Sequence, residues 1–321
     1  MQAPSNQINL GTPKPWLEKL PILSDEIVRE PCDYIGALPS KKTLNVLIDG
    51  LNIWYKVPQP QVDIIKSVCE LLHTASLVMD DIEDNSDLRR GEPAAHMVFG
   101  TPQSINSASY AFMKCFQQTC KLSLSAVTIL SEELAKVHVG QGYDLHWTFH
   151  GEAPSEHDYI RMVDGKTGGF FTIASLLMKD QATQNEDLNM QDLLLLIGRF
   201  YQIRDDYMNL ASQDYTKAKG HLSDLDEGKY SLALIHALNK SPEATKVKSL
   251  LALRSRQGSL SVEQKDGIMR SLAKSRSMEY VLEVLEELQN EMDTRLKDVE
   301  TQAGEENGIL RAILAKLRVP R

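Results

Sequence analysis

The sequence predicts a single all-α domain. Three observations lead there. Apolar residues recur at three- and four-residue steps from about residue 44 to the C-terminus. Convincing strand alternation, a GxGxxG turn, a Walker loop and low-complexity tracts are missing, and no linker-like stretch interrupts the pattern. Two apolar helical runs end in paired aspartates, Asp80-Asp81 and Asp205-Asp206, which could face each other across one cavity. At 321 residues the chain can bury a substantial core.

Taken in order, residues 1–24 carry Pro4, Pro13, Pro15 and Pro21 with little periodicity and read as a flexible arm, its Trp16-to-Leu20 patch a candidate docking point. The domain proper is 25–321. Asp25 to Tyr34 reads as a short helix interrupted by Pro31. Pro39-Ser40 is a loop with Lys41 and Lys42 at the mouth of the next helix, Leu44 to Tyr55, which Pro58 and Pro60 end. Gln61 to Met79 is a long helix that carries His73 into the first acidic cluster. Gly91 and Pro93 mark a loop, and two helices follow, Ser104 to Ser123 and Ser125 to Val139, the second closing at Gly140-Gln141-Gly142. Ser155 caps a further helix with Asp158 at its third position, and that helix runs into the small-residue patch Lys166-Thr167-Gly168-Gly169. Met190 to Met208 carries the second acidic pair, and Lys217 to Lys229 reads as a mobile polar loop. Val281, Leu285, Leu288, Met292, Leu296 and Val299 form an amphipathic stripe expected in the core or at a subunit contact. A last helix covers Ile309 to Leu317.

Composition closes off several functions. A net charge of −9 with no basic stripe argues against nucleic-acid binding. Cys32, Cys69, Cys115 and Cys120 show no CxxC spacing, so they read as reduced thiols of a cytoplasmic protein rather than zinc ligands. The longest aliphatic run, Leu193 to Ile197, is too short for a transmembrane segment, so a lipid-like ligand must be held inside the fold.

The chemistry is concentrated in Asp80 to Gly91. On a helix Asp80 and Asp84 lie four apart and Asp81 three before Asp84, so the carboxylates share a face near a helix C-terminus that already carries partial negative charge. A lone acidic run is usually a solvated helix end. Here Arg89 and Arg90 follow it and a second pair, Asp205-Asp206, ends another apolar helix. Hard divalent cations relieve such repulsion, and Mg²⁺ takes one or two carboxylates together with substrate phosphates. Guanidinium forks suit the same phosphates. The set describes a diphosphate site.

The wording of His73 through Ser86 and on to Arg89-Arg90-Gly91 resembles the first aspartate-rich motif of trans-isoprenyl diphosphate synthases, more narrowly the geranylgeranyl diphosphate synthases of fungi and animals. The likeness continues through Phe99-Gly100, Ile105 to Ala108, Gly140 to Gly142, Lys166 to Gly169, Gln202 to Asp206 and Asp226 to Lys229, so it covers roughly residues 30–300. Asp226 to Ala237 also resembles the prenyltransferase half of fungal chimeric terpene synthases, which implies a partner cyclase domain in a longer protein. The resemblance implies the single-domain isoprenoid synthase helical bundle around a central cavity, and a homodimer or a hexamer of three dimers. The implied reaction condenses isopentenyl diphosphate with an allylic diphosphate (dimethylallyl, geranyl or farnesyl), with three Mg²⁺ per site. By motif, Asp80, Asp84 and Asp205 hold metal, and Asp81 and Asp206 support them. Arg89, Lys166, Gln202, Lys219 and Lys229 address the allylic diphosphate and Thr167 flanks the developing cation. Lys41, His73 and Arg90 address isopentenyl diphosphate.

Two departures stand out. An arginine is expected three residues after Lys41, and Leu44 stands there. Losing one charge-assisted contact costs about 1.5–3 kcal/mol, roughly 10- to 100-fold in affinity. Asn209 also replaces a third aspartate of the second motif, a milder change because an amide oxygen can still hold a metal-bound water.

Bulk just before the first motif sets product length. Ala75 and Ser76 are small where a farnesyl-length enzyme is expected to place an aromatic, so a product of at least twenty carbons is expected. By the resemblance, Phe112, Met113 and His138 form a deeper floor. Geranylgeranyl diphosphate (C20) is the first expectation and geranylfarnesyl diphosphate (C25) the second. A class I terpene cyclase is the competing enzyme class, disfavoured because an NDxxSxxxE-type motif is missing. A silent regulatory or structural subunit is the non-enzyme alternative, motivated by Leu44.

Overall fold

A computed structural model describes residues 16, 19–211, 222–240 and 242–319, apart from the side chains of 255 and 256. Among these residues the chain forms fifteen helices and one two-stranded hairpin. Helix α3 (Gln59–Glu83) shows why the acids end where they do. Pro58 is extended and Pro60 lies in the first turn, the position that tolerates a missing N–H. From there Val62, Ile65, Cys69, Leu72, Ala75, Val78 and Asp81 are buried at three- and four-residue steps, so the core-facing stripe runs directly into an aspartate. Helix α9 (Gln191–Ala211) repeats the arrangement: Leu193, Ile197, Phe200 and Ile203 lead to buried Asp206. In each pair the second aspartate continues the core stripe, and the first, Asp80 or Asp205, is left half-buried beside it.

Around α3 pack α1 (Glu26–Ala37), α2 (Thr43–Tyr55), α5 (Thr101–Thr119) and α8 (Gly168–Asp180). Helix α8 links this layer to α9 and to α6 (Leu124–His150), and α7 (Glu156–Lys166) lies along α6. Helix α14 (Ser277–Ala303) backs α9, with Val281, Leu285, Met292, Leu296 and Val299 buried, so the stripe read from the sequence is core. The C-terminal α15 (Gly308–Leu317) closes on α2. Its N-cap Asn307 accepts from Leu310 N at 3.1 Å and donates to Gly50 O at 2.8 Å.

The structure corrects several expectations. Pro31 does not interrupt α1; the Ile27 carbonyl it leaves without an intrahelical donor accepts from Gln103 Nε2 at 3.3 Å instead. Helix α6 does not close at Gly140 but runs to His150, because Gly140 is a contact point. A Cβ there would lie 2.4 Å from Lys166 N and 2.9 Å from Met162 O. The helix begun by Ser155, which does accept from Asp158 N, breaks at Thr167 into α7 and α8. Leu88–Arg89 and Glu92–Pro93 form a small hairpin whose turn residues Arg90 and Gly91 both have positive φ, 57° and 85°. Helix α4 (Ala95–Phe99) follows it. Trp54 is fully buried and donates to Glu305 O at 3.0 Å. Trp16 is 77% exposed.

Past α9, residues 212–221 lie outside the described residues, and with them Lys219 and most of the loop expected from Lys217 to Lys229. The arm likewise lies outside them except for Trp16 and the residues from Lys19 on. The described end of that loop is ordered as a short helix α10 (Ser223–Glu227), and α11 (Leu232–Lys240), α12 (Ala244–Gln257) and α13 (Val262–Lys274) follow.

Candidate active site

The ends of α3, α6, α7 and α9 bring the acids together. Lys166, at the α7–α8 break, reaches Asp144 Oδ2 at 2.7 Å and Asp80 Oδ1 at 3.4 Å. Its neighbour Thr167 donates to Gln202 Oε1, and Gln202 Nε2 donates to Asp206 Oδ1 at 2.7 Å. The other Asp206 oxygen accepts from Tyr159 OH at 2.8 Å. A chain of contacts thus runs from Asp80 to Asp206. Burial and then the Asp80 charge push the Asp84 carboxyl well above the usual carboxylate range, and burial raises Asp206 too. Two lysines offset this negative charge. Burial works against the charge on each, but Asp144 and Asp80 outweigh it at Lys166, and Asp224, Asp206, Asp144 and Asp84 outweigh it at Lys229. Both stay protonated.

A cavity of about 770 Å³ opens beside this centre. Lys41, Leu44, His73, Arg89, Arg90, Thr167 and Asp205 all line it, so residues expected at both diphosphates share one space. Arg89 is 7% exposed; its Nε donates to Asp81 Oδ1 at 2.8 Å, and its Nη2 contacts Asp81 and Asp80. Asp81 therefore sets the direction of Arg89. Arg90 donates to Leu38 O at 3.1 Å and Ile35 O at 3.4 Å, closing the C-terminal end of α1. His73 packs edge-on against Phe170. Burial, followed by Arg90 and Arg89, lowers its pKa to about 4, so it faces the cavity as a neutral donor and not as a charge. Leu44 leaves the mouth without its guanidinium. Lys42, the nearby alternative, is 63% exposed and bound to Glu70 at 3.1 Å, where Asn45 also donates at 2.7 Å.

Below Asp80, Ala75 is fully buried in a small-residue cluster with Val78, Ala95, Ala108 and Ala111, and Ser76 is half-buried. Phe112 and His138 meet edge-to-face with ring centroids 5.6 Å apart. Met113 is not brought to that lining: it lies on the outer face of α5, 56% exposed. Phe112 and Met113 are adjacent on one helix, so only one of them can face inward.

Residues 25–268 match the family model for polyprenyl synthetase. The chain belongs to the polyprenyl synthetase family. The chain is 44% identical over 313 residues to ophiobolin F synthase oblA of Aspergillus clavatus, covering 94% of this chain and 43% of that protein. It is 41% identical over 300 residues to macrophomene synthase of Macrophomina phaseolina, covering 93% and 43%. It is 42% identical over 309 residues to the bifunctional sesterterpene synthase astC of Talaromyces wortmannii, covering 95% and 41%. The chain thus spans less than half the length of these relatives. Prenyl diphosphates fit the family as substrates. Among the described residues, no helix is long and apolar enough to cross a membrane.

Four members of this cluster carry little local signal of their own. Asp144, 6% exposed, holds Lys166; it falls three after Gln141 on α6, beyond the end the sequence predicts for that helix. Tyr159 meets Asp206 across 47 residues of chain. Glu227 accepts from Ser86 at 3.1 Å across 141, tying the late loop to the first motif. Gln141 donates to Glu83 at 2.7 Å and holds the outer edge of the same cluster.

Proposed function

We propose that this chain elongates prenyl diphosphates, condensing isopentenyl diphosphate with an allylic diphosphate to give geranylfarnesyl diphosphate (C25) in preference to geranylgeranyl diphosphate (C20). The observation that carries the reaction is the meeting of both acidic motifs, through Lys166, Thr167 and Gln202, beside a cavity lined by Lys41, Arg89 and Arg90. Length is supported by the small residues Ala75, Ala108 and Ala111 below Asp80, and by a relative named for a sesterterpene, a 25-carbon class. That favours the longer product over the C20 first expected.

Among the described residues no three of His, Cys, Asp and Glu converge on one ion. Asp80, Asp84 and Asp205 nonetheless offer hard oxygen donors, a partial set of the kind Mg²⁺ completes with substrate phosphates and water. Magnesium bound there supplies charge stabilisation for the departing diphosphate. Lys166, Lys229 and Arg89 orient that diphosphate while its carbon–oxygen bond breaks. Lys41 and Arg90 hold isopentenyl diphosphate by charge and His73 by a neutral N–H. The double bond then forms the new carbon–carbon bond, and a proton leaves to the released diphosphate. The apolar lining keeps water from the cation.

Incubation with farnesyl diphosphate, isopentenyl diphosphate and Mg²⁺, followed by chain-length analysis, tests the reading. A C25 product supports it, and C20 as the sole product overturns the length assignment. A cyclic hydrocarbon points to a cyclase, and no turnover to a silent subunit. We propose further that the full protein joins this unit to a terpene-cyclising domain, as the name of the bifunctional relative suggests. A homodimer or hexamer is proposed from exposed Met97, Val98, Ile105 and Met113 on α4 and α5, and light scattering reads it directly.

A further inference from the structure

The segment from Ser223 to Lys229 has two faces with different partners. Inward, Glu227 accepts from Ser86, Asp224 N donates to Asn209 Oδ1 at 3.4 Å, and Lys229 stands among Asp84, Asp144, Asp206 and Asp224. Outward, every acceptor of Asp226 is engaged by α12, α13 or the turn between them. Its Oδ2 pairs with Lys265 Nζ, its Oδ1 accepts from Leu260 N at 3.0 Å, and its carbonyl accepts from Arg254 Nε at 2.5 Å. Lys265 is 7% exposed, so its ammonium is placed by the fold and not by solvent. Next to Asp226, Gly228 has a φ of +77°, and a Cβ on it would lie 3.0 Å from the Arg254 guanidinium carbon. The arginine therefore packs flat on the one residue that lets the chain turn from Glu227 to Lys229.

We propose that Lys265, with Arg254, is a positioning residue for the allylic diphosphate site. By holding Asp226 from outside, it fixes Glu227 and Lys229 inside. This rests on the prenyl-elongation reading for its effect on substrate, but the geometry it asserts can be read without turnover. Lys265 does not line the cavity, and a Lys265 lost from an ordinary surface pair would leave kinetics untouched. The Asp226 side chain is 34% exposed and keeps its bond from Leu260 N, but without the buried ammonium its second oxygen loses the contact to α13, and the turn it anchors loosens.

The test is Lys265→Met, with Lys265→Arg as the conservative rescue, both read by steady-state kinetics and by hydrogen exchange at the Lys229 amide, which donates to Asp224 O at 2.9 Å. Lys265→Met is expected to raise the KM for farnesyl diphosphate about tenfold while the KM for isopentenyl diphosphate moves less than about twofold, and Lys265→Arg to recover most of the loss. Exchange at Lys229 should quicken by about the same factor. Unchanged exchange overturns the clamp whatever the kinetics, and so does an equal rise in both KM values. If the wild type makes no prenyl diphosphate, the functional reading fails and the exchange result alone judges the clamp. Should Lys265→Met not fold, Asp226→Asn removes the same charge pair while keeping the acceptor for Leu260 N, and is read by the same two measurements.

Discussion

On the proposed function, the acid–lysine centre and the cavity mouth would meet the two diphosphates with opposite physics. At the centre, Asp80, Asp144, Asp206, Lys166 and Lys229 are buried or half-buried and joined across four helices, so the charges that would meet a diphosphate are already oriented. At the mouth, Lys42 and Glu70 are 63% and 47% exposed, and an apolar side chain stands where a guanidinium is expected. Ionisation of an ester depends on fixed charge; capture of the second substrate depends on affinity. The molecule has invested its rigidity in the first. Breaking the centre should therefore cost turnover, and repairing the mouth should improve affinity.

The largest effect is expected from Asp80→Asn, which removes a charge from the carboxylate that Lys166 and Arg89 both approach. Removal of one preorganised electrostatic group typically costs about 10²–10³-fold in kcat, and a loss of that size in product formation is expected here. A loss below about tenfold would break the contrast, because Asp80 would then be no more important than a surface acid.

Leu44→Arg sharpens the other side. Restoring a forked contact should lower the KM for isopentenyl diphosphate by about tenfold, with the KM for the allylic substrate unchanged. An unchanged or raised value shows that the second diphosphate sits elsewhere. Glu70→Gln in the same background separates a misplaced pocket from an arginine captured by Glu70, since only a captured arginine would then recover affinity.

How much of this was legible in the sequence follows from where each partner lies. The two acid-tipped helices could be read because each signal is contiguous: an apolar stripe at helical spacing that ends in Asp81 or Asp206. The stripe on α14 and the Ser155 cap are local in the same way. Gly140 misled because glycine has two uses. It weakens a helix by about 1 kcal/mol, yet it is what lets α6 and α7 touch backbone to backbone, and only the tertiary structure says which use applies. Asp144 and Tyr159 carry no local mark, since an isolated Asp or Tyr on a helix is ordinary until Lys166 or Asp206 arrives opposite. Helix α13 carries a local signal of the same kind, since Ser261 and Gln264 form a capping box.

His73 stands at the border of the two regions and gives a smaller, pH-dependent effect. Its folded pKa of about 4 lies below the ordinary value of 6.5, with burial first and Arg90 and Arg89 next among the causes. Above about pH 6.5 the folded and unfolded chains both hold it neutral, and it contributes no pH dependence. Between about 6.5 and 4 the unfolded chain takes up a proton that the folded chain refuses, so stability is lost as pH falls through that window and levels off below it. Between pH 7 and pH 5 the loss from this one group is about 2 kcal/mol. Urea unfolding of wild type and His73→Gln across that range should converge as pH falls, the variant lacking this slope. Parallel curves would mean that His73 is solvated and titrates normally, and the basic lining of the cavity would then exert no field on it.

The smallest effect is the most direct probe of the mouth. Lys42→Met removes a cation whose present partner is a half-exposed carboxylate, and exposed pairs of this kind contribute about 0–1 kcal/mol. The KM for isopentenyl diphosphate should change less than about threefold in the wild-type background, because a point charge already shared with Glu70 cannot reproduce a fork. It should change still less with Leu44→Arg in place. A tenfold rise from Lys42→Met alone would reverse the comparison: the mouth would then be a working diphosphate grip that has exchanged a rigid arginine for a lysine drawn off Glu70 by substrate, and its exposure would be the mark of a moving part.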